Sequence, residues 1–132
     1  MPNAALEEKL AALLLAHQGE YLSGEAVSRE IGVTRSAVWK AARRLRQEGW
    51  ILESGSNRGY RLAQVPDLVT APVVEHFLPA PRSAPVLCFE ELDSTITHGQ
   101  RLILEGTPDR TVVIADRQTG GMGRMGRSFL SP

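Results

Sequence analysis

The feature that most constrains the fold is a run of three short, capped helices. Apolar residues recur at helical spacing through residues 4–17, which predicts the first helix. Ser23 is a good N-cap residue for a second helix that ends near Ile31. After a short turn, Thr34 can cap a third helix that ends near Glu48. Two short helices joined by so tight a turn are the centre of a helix-turn-helix.

A β-hairpin follows the third helix directly. In the segment "WILESGSNRGYRL", β-forming residues flank a tip of Gly, Ser and Asn, which predicts strands at residues 51–53 and 60–62. A helix-turn-helix followed by such a hairpin is a winged helix-turn-helix. The sequence therefore predicts this fold for residues 1–64.

The basic residues of the chain are concentrated in the same region. Over the whole chain, 15 Lys and Arg balance 15 Asp and Glu. Residues 29–61 contain eight basic and three acidic residues, a local net charge of +5. Such an excess favours contact with a polyanion, although a solvated Arg-rich helix would show the same charge.

The third helix has two distinct faces when its residues are placed at about 100° each. The core face consists of Val38, Ala41, Ala42 and Leu45. The other face is long, basic and hydrogen-bonding, with one aromatic residue, and its members are Arg35, Ser36, Trp39, Lys40, Arg43, Arg46 and Gln47. A helix that enters the DNA major groove needs such side chains for phosphates and base edges.

We predict DNA contacts from part of this face and from the tip of the hairpin. The predicted contacts are Arg35, Ser36, Trp39, Lys40, Arg43 and Arg58. Arg35, Ser36 and Lys40 are the expected base contacts, because the start of a recognition helix usually reaches the bases. For Trp39, partial packing against the first helix or the hairpin is favoured over base contact. Contact with another protein instead of DNA is the competing interpretation of the whole surface.

Beyond the hairpin the chain changes character. Prolines cluster in residues 65–85, which predicts a linker around a short helix at residues 73–78. The pattern then predicts a strand at 86–90, a helix at 94–105 and a strand at 111–115. The predicted class is α+β, with a winged helix-turn-helix at 1–64, a linker at 65–85 and the start of an α/β domain at 86–132.

Two motifs in the last segment have both structural and chemical interpretations. In "ELDST", Asp93 and Ser94 are ordinary helix caps, and the hydroxyl groups are also suited to a small polar ligand. In "QTGGMGRMGR" the glycines match G-x-G-x-x-G, but the "SFLSP" that follows leaves no room for the helix and acid of a dinucleotide-binding fold. A Walker loop requires a Gly-Lys pair, which the motif lacks. A mobile surface loop and an anion-binding glycine–arginine loop are the remaining interpretations.

Segments from both halves of the chain match one known family. "SGEAVSREIGVTRSAVWK" and "RGYRL" in the first half, and "DSTI", "VVIADRQT" and "GGMGRMGRSFLSP" in the second, resemble the bifunctional biotin operon repressor and biotin–protein ligase family. The last three come in the order and spacing of the family's "DSTN" segment, its strand with a Gln, and its "GRGRxGR"-like loop. The chain departs from that pattern where Ile96 replaces Asn, Met122 replaces Arg and Phe129 replaces Trp.

The resemblance implies ligands for the second half of the chain. Ser94, Thr95 and Gln118 would bind the biotin head group. A loop would close over biotin and the adenylate, and it would consist of Gly121, Gly123, Arg124, Gly126 and Arg127. The implied cofactors are biotin and ATP, joined as biotinyl-5'-AMP, while no catalytic residue and no metal ligand is assigned.

The implied function is a DNA-binding transcriptional regulator of the biotin operon repressor type that carries the first part of a ligase domain. The family's catalytic domain continues well past Pro132, so we expect a truncated product or a fragmentary gene model, inactive as a ligase by itself. One alternative is a fragment of a full ligase that transfers biotin to a lysine of a biotin carboxyl carrier protein. A winged helix used only for protein contacts is the other.

The expected partners are double-stranded operator DNA and, for a full ligase, the carrier protein, with a homodimer as a further candidate. A single cysteine, Cys88, fits a reducing compartment. Neither a leader nor an apolar run of membrane-spanning length is visible in the sequence. We therefore expect a cytoplasmic protein with no membrane partner.

Overall fold

The computed structural model of the protein describes residues 4–79 and 82–131. The chain divides into two compact units, one that ends at Leu68 and one that begins at Val69. The predicted segments 1–64, 65–85 and 86–132 each include one or more residues outside this description. Each unit has buried apolar side chains of its own.

The first unit consists of three helices and a hairpin. These elements are α1 (Ala4–Ala16), α2 (Gly24–Ile31), α3 (Arg35–Gln47), β1 (Leu52–Gly55) and β2 (Gly59–Leu62). The side chains buried among them include Leu10, Leu14, Val27, Val38, Ala41, Ala42, Leu45 and Leu62. The predicted winged helix-turn-helix is confirmed, and the helices end close to their predicted positions.

Local capping explains where α2 and α3 begin and where α2 ends. Ser23 Oγ accepts the N–H of Ala26 at 3.0 Å, and Thr34 Oγ1 accepts the N–H of Ala37 at 3.1 Å. These side chains satisfy N–H groups that have no partner within the helix. α2 ends at Ile31, and the next residue, Gly32, has a φ of 79°, the left-handed conformation that glycine adopts without strain.

The hairpin is part of a slightly larger sheet than the sequence predicts. β1 and β2 pair antiparallel. Leu22 forms an isolated antiparallel bridge with Tyr60 of β2, because the two residues exchange two backbone hydrogen bonds of 2.8 Å. β1 begins one residue later than predicted. Trp50 and Leu52 are the buried residues at this point, whereas Ile51 between them is 64% exposed.

β2 begins at a glycine that the close approach of two backbones requires. Gly59 has a φ of 95°, in the left-handed region. A Cβ atom there would lie 2.0 Å from the carbonyl oxygen of Leu22, which accepts the N–H of Tyr60. The hairpin therefore pairs with the segment before α2 only when residue 59 has no side chain.

The second unit contains a βαβ unit. Its elements are α4 (Ala71–His76), β3 (Val86–Leu92), α5 (Thr95–Leu104) and β4 (Val112–Gln118). β3 and β4 are parallel neighbours in a two-stranded sheet, and α5 connects them. Helices and small sheets together make the class α+β, as predicted.

Both strands of the second unit end later than the sequence predicts. The predicted ends were residues 90 and 115, but β3 continues to Leu92 and β4 to Gln118. The added residues are largely polar, so apolar alternation does not reveal them. Glu91 and Arg117 lie opposite each other in the register and form an exposed ion pair, which is compatible with continued pairing.

The second unit leaves much apolar surface exposed. Val73, Ala84 and Val86 are buried, but no residue of α5 is. The large apolar side chains that remain exposed are Val69, Phe77, Ile96, Ile103, Leu104, Met122, Met125, Phe129 and Leu130.

Two kinds of feature are absent from residues 4–79 and 82–131. No helix there is both long and apolar enough to cross a membrane. No group of three or more His, Cys, Asp and Glu side chains is placed there to hold a metal ion.

Candidate functional site

The two faces of α3 are separated as the sequence predicts. The predicted core residues Val38, Ala41, Ala42 and Leu45 are all buried. Every residue predicted for the other face is exposed: Arg35, Ser36, Trp39, Lys40, Arg43, Arg46 and Gln47. Arg58, at the turn between β1 and β2, is exposed as well. All six predicted DNA contacts are thus accessible to a ligand.

A groove of about 640 Å³ lies between α3 and the hairpin. Arg35, Ser36 and Trp39 of α3 line it, so three of the predicted contacts come together in one place. The hairpin and the start of α2 supply the rest of the lining, namely Ser54, Gly55, Asn57, Gly59, Tyr60, Ser23, Gly24 and Glu25. Lys40 lies instead in a smaller cavity of about 300 Å³ beside α1, which Ser36 also lines.

The eight basic residues of 29–61 fall into two groups according to their partners. Four are engaged inside the unit: Arg29 with Glu25, Arg44 with Glu7, Arg61 with Glu53, and Arg46 with the carbonyl of Leu52. The other four form no hydrogen bond or ion pair with any residue that the structure describes, and we call them the open cations: Arg35, Lys40, Arg43 and Arg58. The open cations are the basic members of the predicted contact set.

Arg46 has a role that the sequence did not reveal. Its Nε and Nη2 donate to the carbonyl oxygen of Leu52 at 3.2 and 3.1 Å, and Nη2 also donates to Ser54 Oγ. A helical projection places this residue on the basic face but says nothing about the strand beside it. The contacts join the end of α3 to β1, so Arg46 helps to position the hairpin.

Two aromatic rings lie beneath cations near the groove. The guanidinium carbon of Arg43 is 5.7 Å from the ring centre of Trp39, and those of Arg58 and Arg61 are 5.9 and 4.9 Å from Tyr21. These are cation–π distances, which are compatible with an exposed cation. Trp39 is 51% exposed, so its ring is only partly packed.

The "DST" motif and Gln118 meet at one end of the parallel sheet. Gln118 Oε1 accepts the backbone N–H of Thr95 at 2.8 Å and its hydroxyl at 3.2 Å. Asp93 Oδ1 accepts the N–H of Ser94 at 2.8 Å, and this bond, followed by Arg101, holds the pKa of Asp93 below its ordinary value.

Ser94 departs from the capping role that its position suggests. It occupies the N-cap position of α5 but forms no side-chain capping bond. The residue is 2% exposed, and its Oγ has no hydrogen-bond partner among the described residues. Buried hydroxyls almost always have a partner, so this oxygen is suited to a ligand.

The glycine loop folds back toward the "DST" motif. The N–H of Gly120 donates to the carbonyl of Asp93 at 2.7 Å, and Phe129 donates to Gly121 at 2.9 Å. A Cβ on Gly121 would lie 2.8 Å from the carbonyl oxygen of Phe129, so the return of the chain requires a glycine. Of the predicted ligand residues, Ser94, Thr95, Gln118 and Gly121 are thereby brought to one edge of the sheet.

The remaining predicted ligand residues lie further along the loop. The N–H of Gly123 donates to the carbonyl of Arg127 at 2.6 Å, and the N–H of Arg127 donates to the carbonyl of Arg124 at 3.4 Å, which closes a single 3₁₀ turn at Arg124–Gly126. Arg124 and Arg127 are exposed, with no hydrogen bond or ion pair from either side chain to a described residue. The structure does not connect these two side chains to Ser94 or Thr95.

Comparison with known proteins agrees with the fold. Residues 7–61 match a family model described as "HTH domain". The chain is 33% identical over 130 residues to Bifunctional ligase/repressor BirA of Bacillus subtilis, and 32% identical over 130 residues to the protein of the same name from Bacillus spizizenii. Each match covers 98% of this chain and 40% of the relative, so the chain spans two fifths of their length. Over nearly its whole length the chain is thus similar to two fifths of the length of bifunctional ligase/repressor proteins.

Proposed function

We propose that the first unit binds duplex DNA and that the chain regulates transcription as a repressor of the biotin operon type. The observation that carries the proposal is the set of open cations on α3 and at the turn of the hairpin. Phosphates can neutralise these charges without first breaking an internal ion pair. Four cations on one surface, without ion-pair partners among the described residues, match a polyanion, which favours DNA over a protein partner.

A salt titration of DNA affinity tests this function. If most of the open cations meet phosphates, the logarithm of the association constant should fall with the logarithm of salt concentration, with a slope of about −3. Arg58→Ala should make the slope shallower by about 0.9, with the ranking of duplex sequences unchanged. Gel shift at five salt concentrations measures both. Affinity that is independent of salt, or the absence of binding to any duplex at low salt, contradicts the proposal.

A second candidate function belongs to the second unit, where the residues present fit a polar head group. Ser94 Oγ is buried without a partner, and Gln118 uses its oxygen for Thr95, which leaves its NH₂ group for a ligand. The ureido group of biotin offers both donors and an acceptor for such side chains. In this proposal Ser94, Thr95 and Gln118 hold the biotin head group. ATP would supply the adenylate, which the loop from Gly121 to Arg127 would contact.

Replacement of Ser94 gives opposite expected effects on stability and binding. Ser94→Ala removes a buried hydroxyl that lacks a partner, so it should raise the free energy of unfolding of the second unit by about 1 kcal/mol. The same change should weaken biotin binding about tenfold, because one hydrogen bond to the ligand is lost. Circular dichroism melting and titration calorimetry with biotin measure the two quantities.

The matched control is Thr95→Ser, which keeps the hydroxyl that donates to Gln118. It should leave both quantities nearly unchanged. No saturable heat with biotin for the parent chain would contradict the ligand site. A loss of stability in Ser94→Ala would show that its hydroxyl has a partner in the free protein.

The remaining functional assignments extend these two proposals. The predicted segments 1–64 and 86–132, joined by 65–85, would act as a DNA-binding domain and part of a ligase domain in the cytoplasm. Operator DNA, a second copy of the chain and a biotin carboxyl carrier protein are the partners that follow. Ligase activity would belong to the whole protein of which the relatives are examples.

A further inference from the structure

Trp39 is an exposed large apolar side chain in a unit where most side chains of that kind are not exposed. Among the described residues up to Leu68, only Trp39 and Ile51 are large apolar residues in the exposed class, at 51% and 64%. Ile51 lies between buried residues ahead of β1, outside the groove. Trp39 lines the groove between α3 and the hairpin, surrounded by polar and glycine residues.

The position of Trp39 in α3 is that of a base-reading residue. It is the fifth residue of the helix, within the first two turns, where recognition helices contact base edges. Arg35 precedes it and Arg43 follows it by four residues each, so the three side chains share one stripe of the helix. The guanidinium of Arg43 lies over the ring at 5.7 Å, a cation–π distance.

The edges of DNA base pairs in the major groove include one distinctive apolar group, the C5 methyl of thymine. Arg35 and Ser36 beside Trp39 are suited to the polar edges, whereas an indole is suited to a methyl group. We infer that Trp39 reads a thymine methyl group in the DNA site, and that it sets sequence preference rather than general affinity. This inference rests on the proposed binding of duplex DNA.

Replacement of thymine by deoxyuridine removes the methyl group and leaves every base-pair hydrogen bond in place. The probe is the duplex that the 132-residue chain enriches from a random-sequence library, with each thymine replaced in turn. At one thymine in each recognition site, replacement by deoxyuridine should lower the affinity of the parent chain about fourfold. Trp39→Ala should bind both forms of this duplex equally, whereas Trp39→Phe should retain part of the discrimination.

Lys40→Ala provides the matched control on the same face of α3. It should bind more weakly overall yet keep the fourfold preference for thymine, because its charge does not contact a methyl group. Fluorescence of the buried Trp50 verifies that Trp39→Ala is folded. If deoxyuridine has no effect at any position, or if its effect persists in Trp39→Ala, the inference is wrong while DNA binding stands. If no duplex is enriched or bound, both proposals fail together.

Discussion

Gly59→Ala should lower the free energy of unfolding of the first unit by about 3 kcal/mol or more. The φ of 95° costs an alanine about 1–2 kcal/mol by itself. The added Cβ would also meet the carbonyl of Leu22 at 2.0 Å, and because backbone cannot change rotamer, the strand must move. That movement breaks the two hydrogen bonds between Leu22 and Tyr60, each worth about 1 kcal/mol. Urea unfolding followed by tryptophan fluorescence measures the loss.

Gly32→Ala separates the two causes. Gly32 also has a positive φ, 79°, but an added Cβ there would meet nothing within 4 Å. It should therefore cost only about 1 kcal/mol. Both tryptophans, Trp39 and Trp50, lie in the first unit, so the fluorescence change reports on that unit alone. Equal losses for the two variants would mean that strain in φ, and not the close approach of the hairpin, dominates at residue 59.

Lys40→Glu should weaken duplex binding about 100-fold at low salt. Lys40 is exposed on the outer face of α3 and has no ion-pair partner among the described residues. The change removes one attraction to a phosphate or base edge and places a carboxylate against the same polyanion. The difference should shrink as salt concentration rises, because counterions screen the repulsion. Fluorescence anisotropy with a labelled duplex gives both affinities.

Lys9→Glu is the matched control for Lys40→Glu, because Lys9 and Lys40 are the only lysines in the sequence. Lys9 is exposed on α1 and lines neither the groove nor the smaller cavity. Lys9→Glu changes the net charge of the protein by the same amount, yet it should weaken binding less than about threefold. Comparable losses for both variants would show that affinity follows net charge and not the surface of α3.

The winged helix could be predicted from the sequence because its signals are local. Ser23 and Thr34 cap helices within three residues of themselves, so sequence order alone indicates where the helices begin. The buried and exposed faces of α3 follow from helical geometry in the same way. The ends of β3 and β4 are different, since polar residues such as Glu91 and Arg117 continue a strand only when a partner strand lies opposite.

The candidate sites depend on contacts between distant residues, which no local pattern specifies. Arg46 resembles the open cations in a helical projection, and only the neighbouring strand gives it a different role. Ser94 resembles an ordinary cap, and only the structure shows that its Oγ forms no capping bond. The association of Thr95 with Gln118 came from the family resemblance, because 23 residues separate them.

The arginines of the first unit fall into a group that forms internal bonds and a group that does not, and this separation affects how the protein can evolve. Arg44, Arg46 and Arg61 stabilise the unit through Glu7, the β1 backbone and Glu53, whereas Arg35, Arg43 and Arg58 contribute no such bonds. Substitutions at the second group should therefore be nearly neutral for folding. A lineage can then change the affinity or the sequence preference of DNA binding by mutation at those positions while selection on stability acts on a separate set.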